Sequence, residues 1–408
     1  MTGMKQRKRT GAQDSAKGLM IIAVVFFHCY LMIFDKPTDA LSSFNILMAI
    51  FPFLLSVFFF YAGYNYQSNG RTVKENIIRR AKQLLIPMVF AFVISTIIIS
   101  SIELIYDHAD IGARFHAIGN SLLHSLMSDP VAIMTGFPHE GGEIYELYLA
   151  LGLLWFLYAL FICSVFFYLL VKFTNKRLEH LISVDVGLLI ISFCLAEFVG
   201  VYLPYTVQCY PVIIAIMLTA AYLRQSHFLN RRILTKKASI RHGINMIIAE
   251  GIIVGICLAC HYKFGATLTG SLPGGMFDPV LKGFDAIIAF AFSILGAYFI
   301  HTFCRMLKYV PIVSTVIQWI GNHSAIFYLF HPIFLNLCAI VIFQKRRMWG
   351  IGQAFFYAIV VTTLLCGVCL LIDLFIKKKH VGEAYIQEIE KNKEDENYDD
   401  DLDDIIVE

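Results

Sequence analysis

The sequence predicts an all-α fold, a polytopic integral membrane helical bundle of about ten transmembrane helices with both termini cytoplasmic. Three observations carry this. Of the 408 residues, 58% are hydrophobic and only 15% are charged, with a mean hydropathy of +0.68, whereas a soluble domain is about a quarter charged. Lipid offers no partner to backbone N–H and C=O groups, so spans must be helices or a closed barrel, and long apolar runs without two-residue alternation favour helices. A cytoplasmic N-terminus also places 26 of the 33 Lys and Arg residues inside and 7 outside, the asymmetry that orients membrane helices. A water-soluble fold, a disordered chain and a disulfide scaffold are excluded.

Each span follows from its run. The first, 18–34, comes after the polar, basic stretch Met1 to Lys17 and has no small-residue cleavage site behind it, so it reads as a retained helix. Spans 44–66 and 84–105 are joined by a segment with five cations, and 147–171 follows the long external segment 106–146. Spans 183–203, 206–223, 243–263, 283–304, 318–343 and 352–376 complete the set. Each is about long enough for a hydrocarbon core of roughly 30 Å. The inner segments 1–17, 67–83, 172–182, 224–242, 305–317 and the tail hold 5, 5, 3, 6, 2 and 5 cations. Lys345, Arg346 and Arg347 break the pattern by falling outside, between spans nine and ten.

The formal charge of +3 conceals two opposed parts. Residues 381–408 carry twelve acids and two lysines, a net of −10, which leaves +13 on residues 1–380. Two regions are therefore expected: a transmembrane domain over 1–380, and an acidic, disordered cytoplasmic tail over 381–408 that mainly solvates. Lys377, Lys378 and Lys379 would stop the last span at the anionic inner leaflet. All ten cysteines fall in spans or at their ends, so no structural disulfide is indicated. Cys257 and Cys260 have CxxC spacing but apolar flanks and no second ligand pair, which favours packing over zinc. The external segment holds His108, His116, His124 and His139. His139-Glu140 begins like HExxH, but Glu143 stands where the second His belongs, so no metal is expected.

An ionisable residue inside a span costs a few kcal/mol and by default faces a cavity, a partner or a pathway. The candidates are His28, Glu197, Glu250, Asp285, His301 and His331. His28 stands alone in MIIAVVFFHCYLMIF. Eleven residues separate it from Lys17, roughly 16 Å along a helix and only about 20° around it, so the two share a face. Lys17 would meet a phosphate at the cytoplasmic boundary, with Asp14 one turn below to orient its ammonium group, while His28 would sit deeper. Span nine carries Ser324, Tyr328 and His331 at i, i+4 and i+7, a polar stripe that lines a cavity or bonds another helix, and Pro332 bends the helix just after it. Arg79, Arg80 and Lys82 crowd the start of span three, close enough to the bilayer to form a phosphate-binding patch, though no Gly-rich phosphate loop accompanies them.

Several segments together resemble the membrane-bound acyltransferase 3 family, whose members O-acylate sugars and cell-envelope glycans. They are DSAKGLMIIAVVFFH (Asp14 to His28), FPFLLSVFFFYAGY (Phe51 to Tyr64), RRAKQLLIP (Arg79 to Pro87), LWFLYALF (Leu154 to Phe161) and GNHSAIFYLFH (Gly321 to His331), in family order. Lys17 stands where many members have Arg, Ala62 replaces the Ser of Ser-Gly-Tyr, and Lys82 replaces the second Arg of Arg-x-Arg. The resemblance implies an acyl-CoA donor, acetyl-CoA first among them, with its phosphates near Lys17, Arg79, Arg80 and Lys82. His28 is then the general base that deprotonates the acceptor hydroxyl, since an ordinary imidazole titrates near operating pH. Trp155, Ser324, Tyr328 and His331 become cavity residues. The implied partners are acyl-CoA, a carbohydrate or glycan acceptor and membrane lipid, with no nucleic acid and no permanently bound cofactor, in the plasma or inner membrane.

Two other readings stay open on the residues themselves. Buried His and Glu suit a proton-coupled transporter or flippase of a polar metabolite or lipid-linked sugar, with Glu197 and Glu250 as coupling groups, although no internal repeat or paired broken spans are visible. A receptor or scaffold recruiting partners through the acidic tail is the other.

Overall fold

The computed structural model describes residues 11–31, 53–66, 70–107, 112, 155–174, 178–199, 204–225, 229, 236–264, 282–338 and 355–374. Among them the chain is helical, without a strand. We number the helices α1 (Gly11–Leu31), α2 (Ser56–Tyr64), α3 (Val73–Asp107), α4 (Trp155–Phe173), α5 (Leu178–Cys194), α6 (Tyr210–Gln225), α7 (Lys236–Phe264), α8 (Gly283–Leu307), α9 (Pro311–Asn322), α10 (Ser324–Leu337) and α11 (Phe355–Leu374). A π-helical turn, Leu195–Val199, closes α5, and a 3-10 turn, Pro204–Cys209, leads into α6.

Six of the described helices are long and apolar enough to cross a membrane: they run over Phe156–Phe173, His180–Phe198, Val207–Arg224, Lys236–Cys260, Gly283–Leu307 and Phe355–Leu374. Every expected span coincides at least in part with a helix. The external segment beyond Asp107, the triplet Lys345 to Arg347 and the acidic tail lie outside the described residues, apart from residue 112.

Several helices begin before their apolar runs do. The reason is visible at α3, where a capping box holds the first turn: Thr72 N–H donates to Glu75 Oε2 (2.8 Å), and Glu75 N–H donates to Thr72 Oγ1 (3.3 Å). The basic segment 73–82 is therefore part of α3 and presents its cations in helical register. Pro87 is carried inside the same helix.

Span nine, expected as one helix over 318–343, is two. His323 ends α9 and precedes α10; its Nδ1 lies 2.9 Å from the Trp319 carbonyl, and its ring packs against Trp319 at 4.6 Å. A side chain that bonds the preceding turn competes with the backbone ladder, and the helix restarts at Ser324.

Two compact units are present, Met1–Thr362 and Thr363–Glu408. In the first, α6 is the most enclosed of the spanning helices and packs against α2, α4, α5 and α8. The peripheral α7 exposes Ile244, Ile247, Ile248, Ile252 and Ile256 at three- and four-residue spacing, an apolar stripe whose natural solvent is lipid. The second unit contains the last turns of α11, with Cys369 buried and Leu370, Leu371 and Leu374 exposed.

The closest helix crossing fixes the site. α1 runs along α9, and Gly18 meets Gly321: a Cβ on Gly18 would sit 2.0 Å from the Ile317 carbonyl oxygen, and one on Gly321 would sit 1.7 Å from that of Asp14. Only glycine permits this approach of two backbones. Lys17 and Asp14 are thereby held against α9, one residue and four residues from the contact.

Candidate active site

A cavity of about 370 Å³ opens among α1, α2, α3, α4 and α10, a volume in the range of small-ligand sites. Its cationic wall is built from two helices. Lys17 comes from α1, its ammonium 2.6 Å from Asp14 Oδ1, so the predicted i,i+3 pairing is present. Arg79 and Arg80 come from α3, where Asn76, Arg79, Arg80, Gln83 and Leu84 form one face at helical spacing. Arg80 Nε donates to Ser164 Oγ on α4 (3.3 Å), and Ser164 Oγ in turn donates to the Leu160 carbonyl (2.6 Å). One guanidinium is thus anchored across a helix interface. Lys82 points away from this face and is exposed, outside the cavity wall.

The opposite wall is aromatic. Phe58 and Phe59 pack on Phe156 at 5.8 and 4.8 Å, and Phe156 packs on Tyr328 at 5.3 Å. Tyr66 and Tyr168 stack at 5.1 Å with planes 29° apart beside the cations. Ser324 and Tyr328, the first two members of the predicted stripe, both line the cavity.

The third member, His331, lies behind Tyr328 and is fully buried; the two rings are 5.6 Å apart. Its own neighbour on the far side is His28, at 5.2 Å with planes 28° apart. Because α1 is continuous from Gly11 to Leu31, the shared face of Lys17 and His28 is real: Lys17 meets the cavity and His28 meets the pair of rings beyond it. The cavity lining thus combines cations with aromatic rings, and its residue Tyr328 adjoins the stacked pair His331 and His28. Such a lining can hold a polyanion by its charges.

The remaining intramembrane candidates lie elsewhere. Glu197 pairs with Lys282 at 3.6 Å and accepts the Gly283 N–H (3.4 Å), tying the end of α5 to the start of α8. Asp285 and His301 are buried along α8, and Glu250 is half-buried on α7. None of the four lines the cavity. The backbone of Trp155 starts α4 next to the cavity residue Phe156; its side chain lies outside the described residues.

Sequence reasoning missed Tyr61, Asn76, Gln83, Ser164 and Tyr168, which also line the cavity. Two signals point to four of them, and none to Tyr61. Asn76 and Gln83 share the helical face of Arg79 and Arg80, and Leu157, Leu160, Ser164 and Tyr168 make a stripe on α4 at i, i+3, i+7 and i+11.

Residues 12–372 match a family model described as an acyltransferase domain. No curated protein and no solved structure matches the chain.

Proposed function

Since the chain belongs to the membrane-bound acyltransferase 3 family, we propose that this multi-pass membrane protein moves an acyl group, acetyl in the first instance, from cytoplasmic acyl-CoA to a hydroxyl of a sugar or cell-envelope glycan at the cell membrane. One observation supports this most directly: one cavity is lined by Lys17, Arg79, Arg80 and Tyr328, and Tyr328 adjoins the stacked rings of His331 and His28.

The donor's phosphates bind the three cations, with the exposed Lys82 adding to the positive field at the mouth. The pantetheine arm runs between Phe58, Phe156 and Tyr328 and brings the thioester toward His28. His28 takes the acceptor's hydroxyl proton as the oxygen attacks the thioester carbonyl. The C–S bond breaks as the tetrahedral intermediate collapses, and the departing thiolate receives the proton back from the imidazolium. The products are the O-acyl ester and free CoA.

The test is acceptor-dependent release of CoA thiol from acetyl-CoA by the purified protein, together with mass spectrometry of envelope glycans from cells with and without the gene. The expected result is thiol release with a glycan mass gain of one acyl group. Substrate accumulation in vesicles without thiol release would instead establish a transporter.

A further inference from the structure

We propose that His331 is a positioning residue for His28, holding its ring by a face-to-face stack. This rests on the reading of His28 as the base. A general base usually has one ring nitrogen bonded to a carboxylate or carbonyl, which fixes both tautomer and orientation. At His28 the His331 ring lies 5.2 Å away and nearly parallel.

His331 can serve as a fixed plate because α10 fixes it. Pro332 has no N–H, so the carbonyl of Tyr328, four residues before it, receives no backbone donor. The His331 ring supplies one: Nδ1 lies 2.7 Å from the Tyr328 carbonyl oxygen and 3.1 Å from that of Phe327. Both partners are acceptors, so Nδ1 carries the proton and the neutral ring has its lone pair at Nε2. The Tyr328 ring lies 5.6 Å from it, tilted by 56°. The His331 side chain is fully buried, and its Nε2 has no hydrogen-bond partner among the described residues. The proline thus creates an unmet carbonyl, the carbonyl locks the His331 ring, and the locked ring sets the plane of His28.

The experiment compares His331→Ala, His331→Phe and Pro332→Ala with the wild-type protein in detergent, using two readouts. Steady-state kinetics should show kcat falling about 100-fold in His331→Ala, the scale of a misplaced catalytic group, with the acetyl-CoA KM within about twofold. His331→Phe, which keeps a flat ring but loses the Nδ1 bond to the Tyr328 carbonyl, should recover part of that loss. Pro332→Ala, which returns an N–H to the Tyr328 carbonyl, should lower kcat without lowering the unfolding temperature. The second readout does not need turnover: carbethoxylation of His28 by diethyl pyrocarbonate, followed by mass spectrometry, should accelerate severalfold in His331→Ala and return toward the wild-type rate in His331→Phe. Unchanged kcat and unchanged His28 labelling in His331→Ala would overturn the proposal, as would a His331→Phe protein that behaves like His331→Ala in both. A wild-type protein that releases no CoA would sink the acyl-transfer reading alone, leaving the labelling rates to decide the stack.

Discussion

The imidazoles of His28 and His331 face one another at 5.2 Å with their planes 28° apart, although they stand 303 positions apart in the chain. The contact joins the first helix to the tenth and sets the base candidate behind the aromatic end of the cavity. On the proposed reading α1 serves a donor at two points, Lys17 for its charged part and His28 for its reactive part.

Removing the base should remove the chemistry and spare the fold. For His28→Ala we expect acyl transfer to fall about 10²- to 10⁴-fold, the usual contribution of a general base, with an unchanged unfolding temperature. Wild-type rates of CoA release from purified, folded His28→Ala would show that another group takes the proton.

The Lys17–Asp14 pair predicts a donor-specific defect. Lys17→Ala removes one charge-assisted contact, worth about 1.5–3 kcal/mol, so the KM for acyl-CoA should rise about tenfold or more. With acyl-pantetheine, which lacks the nucleotide phosphates, wild type and variant should be nearly equal. Steady-state kinetics on both donors measures this, and an equal KM increase on each would remove Lys17 from phosphate binding.

Arg80 and Lys82 differ by two positions and should differ in effect. Arg80 lines the cavity and is anchored to Ser164, so Arg80→Ala should raise the acyl-CoA KM about tenfold. Lys82 is exposed and acts only through its field, so Lys82→Ala should change KM by about twofold and lose even that at high salt. Comparable KM values for the two variants would mean that the phosphates reach beyond the cavity wall described here.

The Gly18–Gly321 crossing predicts a stability defect that spreads to binding. A methyl group on Gly321 would overlap the Asp14 carbonyl oxygen at 1.7 Å, so Gly321→Ala should destabilise by about 1–3 kcal/mol or more through forced separation of α1 and α9. Gly187, on α5, has open space where a Cβ would stand, and Gly187→Ala should be neutral or stabilising by up to about 1 kcal/mol. Thermal unfolding in detergent compares the two; equal midpoints would mean that the crossing relaxes without cost.

Much of the site was legible in the chain because helices turn residue spacing into direction. The eleven residues from Lys17 to His28 put both on one face, the pair Asp14 and Lys17 is one turn apart, and Ser324, Tyr328 and His331 form a stripe; each relationship is present in the structure. Lys82 shows where such reading fails. A basic cluster reads as one patch along the sequence, but α3 extends through it, and the rotation per residue separates Lys82 from Arg79 and Arg80. The break at His323 was missed differently: Gly321, Asn322, His323 and Ser324 interrupt the apolar run, but they read as part of one span, and the ring's bond to the Trp319 carbonyl is not visible in the chain.

The sequence by itself determined an all-helical membrane protein and the two polar helix faces that hold the candidate site, because hydrophobic length and 3.6-residue periodicity act within one segment. Only the tertiary structure decided which faces meet. Arg80 reaches Ser164, Gly18 admits Gly321, and His331 lies against His28. These pairings depend on helix crossings set by side-chain volume and close backbone approach, quantities shared between distant segments and carried by neither alone.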